Sequence, residues 1–96
     1  MVNAKDLQTE LRPVFMNYGI KKAVLFGSVS KGTNTEYSDI DIMVDSGLKG
    51  LKFLGLMEDL RRVSGREVDL IDVSHIERNS AVENEIRKTG RVIYIS

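Results

Sequence analysis

The 96-residue chain contains no cysteine, so disulfides and thiolate zinc sites are excluded. Its one histidine, His75, has no second imidazole to share a zinc ion. Neither charge sign is in excess: 14 Lys and Arg stand against 14 Asp and Glu, which argues against a general nucleic-acid binder. No apolar run approaches the roughly 20 residues of a membrane span. The opening "MVNAKDLQTE" lacks the apolar core of a signal peptide. The expected product is a soluble cytoplasmic protein that contacts neither membrane nor nucleic acid directly. A hydrophobic share of 42% is enough for one core, so residues 1–96 are expected to form a single small domain.

The periodicities predict seven elements. Asn3 can cap a helix whose first turn holds Asp6, with Leu7, Leu11, Val14, Phe15 and Tyr18 along one apolar face. The one proline, Pro13, removes a backbone donor and is expected to kink or split this helix, and Gly19 to stop it. Lys22 to Phe26 reads as the first strand, and Asp39 to Val44 as the second. The turn-rich residues between them are expected to begin with a short helix after Ser28. Leu51, Leu54, Met57, Leu60 and Val63 recur at three-residue spacing, which predicts a helix over 51–63 with Gly65 as its stop. "REVDLIDV" and "RVIYIS" read as the third and fourth strands, with a helix near Ser80 to Lys88 between them. The expected fold is α/β of the α+β kind: a small mixed sheet of about four strands with helices mainly on one face. Strand order is not readable from this pattern.

The chemistry concentrates in "LFGSVSKGTNTEYSDIDIMVD". Side chains alternate along a strand, so Asp39 and Asp41 point the same way while Ile40, Ile42 and Val44 point to the other side. Two carboxylates so spaced can converge on a divalent cation, and hard oxygen ligands favour Mg²⁺ or Mn²⁺. Taken alone, the pair more often marks the solvent face of an amphipathic strand. The turn before it adds weight to the site. Gly27 lets the backbone approach a ligand, Ser28 offers a hydroxyl, Gly32 lets the loop turn, and Lys31 can balance phosphate charge. A third acid, Asp69, lies between Val68 and Leu70 and needs a partner there. Glu67 is the weaker substitute for it, and Asp72 reads as a turn or cap residue.

These residues resemble the nucleotidyltransferase superfamily related to DNA polymerase β. More narrowly, they are similar to the minimal nucleotidyltransferases, the MNT antitoxins encoded beside HEPN-domain toxins. The shared pattern is Gly-Ser, ten residues, then Asp-x-Asp, here Gly27-Ser28 followed by Asp39-Ile40-Asp41, with the third acid on Asp69. Two positions depart from it: Val29 stands where many relatives carry a basic residue, and Lys31 where arginine is frequent. The resemblance implies the nucleotidyltransferase fold and transfer of AMP from ATP to a hydroxyl, a tyrosine of a HEPN toxin, with release of pyrophosphate. It implies two Mg²⁺ ions, or Mn²⁺, held by Asp39, Asp41 and Asp69, with Asp69 able to accept the hydroxyl proton. Gly27 and Ser28 would position the phosphates. Two other readings stand beside this one: an antitoxin that neutralises its toxin by binding alone, and a small-molecule transferase of the aminoglycoside type. Homo- and hetero-oligomers are both compatible with the sequence.

Other residues invite weaker readings. His75 suits a surface or capping role. Arg61, Arg62 and Arg66 suit a solvated helix end, or a patch that steers phosphate or an acidic partner. Tyr37, in the loop beside Asp39, is the better candidate to stack on a base, while Tyr94 is expected to pack within the last strand. Met16, Met43 and Met57 are expected to fill the core.

Overall fold

The computed structural model describes residues 2–35 and 38–96, so the base-stacking role given to Tyr37 lies outside the described residues. Chain order is α1 (Ala4–Asn17), β1 (Lys22–Phe26), α2 (Gly27–Lys31), β2 (Ile40–Asp45), α3 (Leu51–Ser64), β3 (Val68–Asp72), a 3-10 turn (Val73–His75), α4 (Ala81–Thr89) and β4 (Arg91–Ile95). Among the described residues no helix is long and apolar enough to cross a membrane.

Local chemistry explains most of the boundaries. The Asn3 side chain accepts from the Asp6 amide at 2.9 Å and caps α1. Ser80 does the same for α4 through the Glu83 amide, and Gly65 ends α3 in the left-handed conformation. Pro13 does not split α1, which runs unbroken through it. Its missing bond is to the carbonyl of Thr9, and both residues lie on the exposed side, where that carbonyl is open to solvent. The opposite stripe, Leu7, Leu11, Val14 and Phe15, is buried and holds the helix in place.

The four strands form one mixed sheet in the order β3-β2-β1-β4. β1 runs antiparallel to β2 and to β4, while β2 and β3 are parallel. Parallel neighbours require a crossover, and α3 supplies it. α1 and α3 cover one face, where Leu7, Leu11, Phe15, Leu56 and Leu60 pack on Leu25, Ile40, Ile42, Val44 and Val68. A register shift in β4 between its pairs with Ala23 and Val24 lets Ile93 and Tyr94 both pack against this core. The rings of Tyr94 and Phe15 lie 5.5 Å apart.

The three-residue repeat expected to line α3 does not mark its core stripe. Leu56 and Leu60 are the buried residues, with Phe53 packed beside them, whereas Leu51 is 85% exposed and Leu54 49%. Each three-residue step falls short of a full turn by about 60°, so a series of five walks round the helix and leaves the core at its ends. Met16 is also a correction: it is 58% exposed rather than in the core, while Met43 and Met57 are half-buried.

Candidate active site

Topology gathers the motif at one end of the sheet. β1 ends at Phe26, and its partner in β2 is Asp41. On the other side Asp41 is paired in register with Asp69 of β3. The two acids thus sit on neighbouring strands about 4.8 Å apart, on the same face. Asp39 lies two residues before Asp41, just ahead of the first strand residue, Ile40. The turn at Gly27 follows Phe26 directly and passes over Asp41.

Gly27 is required by that passage. Its φ is +77°, and a Cβ there would overlap the Asp41 carboxylate, with Asp41 Cγ only 3.3 Å away. Its amide is not open to a ligand, because it donates to Thr89 Oγ1 at 2.9 Å. Ser28, half-buried in the first turn of α2, makes no side-chain hydrogen bond among the described residues. Lys31 ends α2 with its ammonium 3.8 Å from Glu85 of α4.

Electrostatics single out Asp41 among the acids. Burial pushes the Asp41 carboxyl up from 3.8 to about 6, helped by the charges of Asp69 and Asp39, a hydrogen bond shared with Asp69, and the more remote charge of Glu85. A divalent cation would relieve this crowding, and three carboxylates are the hard donors that Mg²⁺ or Mn²⁺ takes. No ready-made cluster of three such ligands closes among the described residues. Mg²⁺ ordinarily takes one or two carboxylates and completes its shell with water and phosphate oxygens.

The remaining acids and bases of this region have structural partners. Glu67 lies before β3 and pairs with Arg61 at 3.5 Å, whereas Asp69 holds the register position beside Asp41. Arg61 also reaches Glu58, and Arg62 pairs with Asp59, so both are tied at the end of α3. Asp72 caps the 3-10 turn and anchors Ser46, the residue after β2. A surface groove of about 830 Å³ opens beside it, lined by Leu48, Phe53, Leu54, Val73 and His75, and none of the three candidate acids reaches it. Sequence reasoning missed Glu85 and Thr89 of α4. Only the position of Thr89, a polar residue in the last helical turn just ahead of Gly90, hinted at a role.

A mixed sheet that carries paired carboxylates beneath a Gly-Ser turn defines the nucleotidyltransferase class of fold. The chain matches the family described as polymerase beta, nucleotidyltransferase, over residues 9–96, and it belongs to that family. It is 33% identical over 78 residues to a candidate protein adenylyltransferase of Methanocaldococcus jannaschii, a match that spans 78% of this chain and 83% of the relative. Its fold is similar to that of a chain in the crystal structure of a toxin-antitoxin with AMP-PNP, with a TM-score of 0.78, 22% identity, and coverage of 93% of this chain and 73% of that one. It is also similar to a chain in the structure of the tri-AMPylated Shewanella oneidensis HEPN toxin in complex with MNT antitoxin, with a TM-score of 0.72, 18% identity, and coverage of 97% and 73%.

Proposed function

We propose that this nucleotidyltransferase moves AMP from ATP to a tyrosine hydroxyl of a HEPN-type toxin and so acts as its antitoxin. The single observation that carries the reading is the register that sets Asp41 beside Asp69 under the Gly27 turn. The relative named for protein adenylylation and the AMPylated toxin bound to an antitoxin of similar fold support a HEPN-type protein as the acceptor.

In the reaction, the acceptor oxygen forms a bond to the α-phosphorus of ATP. The bond from that phosphorus to the bridging oxygen breaks, and pyrophosphate leaves. The hydroxyl proton passes to a carboxylate, for which Asp69 is placed beside Asp41. Asp39, Asp41 and Asp69 would hold the cation. When bound, a divalent ion supplies neutralisation of the triphosphate and a lower pKa for the attacking hydroxyl. The Ser28 hydroxyl is available to donate to a phosphate oxygen, and Lys31 adds a positive charge on the same short helix. The chain's own contribution is placement: an acceptor and a triphosphate held in line over fixed carboxylates.

The test combines the chain, Mg²⁺, ATP labelled at the α-phosphate, and a HEPN-type toxin. Label is expected on a toxin tyrosine, and Asp39→Asn with Asp41→Asn is expected to abolish it while the fold survives. Neutralisation of the toxin without label would replace transfer by masking. Undiminished labelling by the double variant would remove these acids from the reaction.

A further inference from the structure

The last turn of α4 is tied to the Gly27–Ser30 segment at two points. The Thr89 hydroxyl accepts the Gly27 amide at 2.9 Å and donates its own proton to the Glu85 carbonyl at 2.8 Å. The Thr89 carbonyl accepts from the Ser30 hydroxyl. One residue therefore grips both ends of the first turn of α2, on either side of Ser28. The following residue explains how α4 comes so close. A Cβ on Gly90 would overlap the Ile86 carbonyl and stand 3.2 Å from Val24 Cγ1 in β1. With only hydrogen there, the end of α4 seats on β1 and carries Thr89 to the turn. No fully buried side chain anchors α4, so these polar ties do much to fix it relative to α2.

The segment so held has little freedom of its own. α2 is five residues long, well short of the length at which a helix is stable by itself. Its glycine sits at positive φ against Asp41. The height of the turn above the carboxylates therefore depends on what grips it from outside. We infer that Thr89 is a positioning residue of the site: by holding the Gly27 amide and the Ser30 hydroxyl it sets the place of the Gly27-Ser28 turn over Asp41, and with it the seat of the nucleotide triphosphate. The inference rests on the nucleotidyl-transfer reading for its ligand, and on the hydrogen bonds alone for the clamp.

The experiment compares Thr89→Val, which keeps the β-branched shape and loses both hydroxyl bonds, with Thr89→Ser, which keeps the hydroxyl. Three quantities are read on the full chain: exchange of the Gly27 amide by NMR, affinity for AMP-PNP with Mg²⁺ by calorimetry, and the KM and kcat of AMP transfer. Thr89→Val is expected to speed Gly27 exchange about tenfold or more, to weaken AMP-PNP about tenfold, and to raise the KM for ATP with kcat nearly unchanged. Thr89→Ser is expected to restore all three. Ser30→Ala removes only the second tie, shows the same signature at smaller size, and tests the clamp should Thr89→Val not fold. Wild-type exchange and nucleotide affinity in both Thr89→Val and Ser30→Ala would overturn the inference, as would a Thr89→Ser chain as impaired as Thr89→Val. A wild-type chain that binds AMP-PNP but transfers nothing would instead count against the transfer reading, and exchange and affinity would still decide the role of Thr89.

Discussion

Two aspartates at opposite ends of the parallel strand pair have been driven in opposite directions. Asp41, near the start of β2, is pushed up to about 6 by burial among other carboxylates. Asp72 ends β3 and is the more deeply buried, yet its carboxyl is held down at about 2. Burial alone would raise it; four hydrogen bonds outweigh that effect. Oδ1 accepts from the Ser46 amide at 3.0 Å and its hydroxyl at 2.6 Å, and Oδ2 takes the same pair from Ser74. Asp72 thus stitches the end of β2 to the turn after β3, and its charge is fully satisfied within the chain. Asp41 is left with neighbours that repel it. A charge that the fold completes holds structure together; a charge that the fold leaves uncompensated awaits something from outside.

The sharpest way to break this comparison is to remove each charge in turn. Asp41→Asn is expected to lower kcat/KM for AMP transfer by about a thousandfold or more while leaving the melting temperature unchanged or raised. Asp72→Asn is expected to do the reverse: transfer within a few-fold of wild type at low temperature, and a loss of about 2 kcal/mol in stability by urea unfolding. Equal effects of the two substitutions on transfer would erase the distinction.

The second prediction uses pH. An aspartate whose folded value falls from 3.8 to about 2 contributes stability that is complete above pH 4 and lost as pH falls through 2. That limb is worth about 2 kcal/mol. Urea titrations between pH 5 and 2 should show it, and Ser46→Ala with Ser74→Ala should flatten it. An unchanged limb in the double serine variant would mean that these hydroxyls do not hold the charge.

How much of this contrast the sequence carried depends on the range of the interaction. The Gly27-Ser28 turn was readable from two small residues at the end of an apolar run, and alternation gave Asp39 and Asp41 an expected common face, although the strand itself begins at Ile40. Asp69 could be placed on a face, but only the parallel register showed it to be the direct neighbour of Asp41. Asp72 was legible as a cap from its place at a strand end, though not its hold on Ser46, which depends on how α3 returns the chain. Glu85 and Thr89 reach the site because Gly90 lets α4 approach Val24, a tertiary contact that no local pattern announces. The walk of the α3 leucines off the core was not readable from their spacing, and the split expected at Pro13 does not occur, for a common reason. Each depended on which side of a helix faces water, and spacing alone does not say that.

Asp41 supplies the opposite limb of the pH dependence. Asp41 binds its proton more tightly in the folded chain, so its charged form costs stability above pH 6, and that cost disappears as pH falls from 6 towards 4. In EDTA the chain should therefore grow more stable over that window, by about 1 kcal/mol once solvent screening of a half-buried group is allowed for. The window lies above that of Asp72, so one titration separates the two. Asp41→Asn should remove the rise. Millimolar Mg²⁺ should flatten it as well, because the cation supplies at pH 7 the countercharge that a proton supplies at pH 5. A rise that persists in Asp41→Asn would assign it to another group.

The smallest effect is expected at the exposed pair between the two regions of charge on α2 and α4. Lys31 and Glu85 are 3.8 Å apart, each with roughly half its side chain in water. Pairs of this kind contribute about 0 to 1 kcal/mol, so Lys31→Ala should barely move the unfolding midpoint. Its effect on transfer should be separable from stability and sensitive to salt. Lys31 is the cation nearest in sequence to Ser28, and its loss should raise the KM for ATP a few-fold at low ionic strength. Glu85→Gln should act in the opposite sense, since it frees the ammonium and removes one of the charges that repel a triphosphate from Asp41. Lys31→Ala and Glu85→Gln that shift KM in the same direction would show that the pair braces the two helices rather than tunes the charge facing the nucleotide.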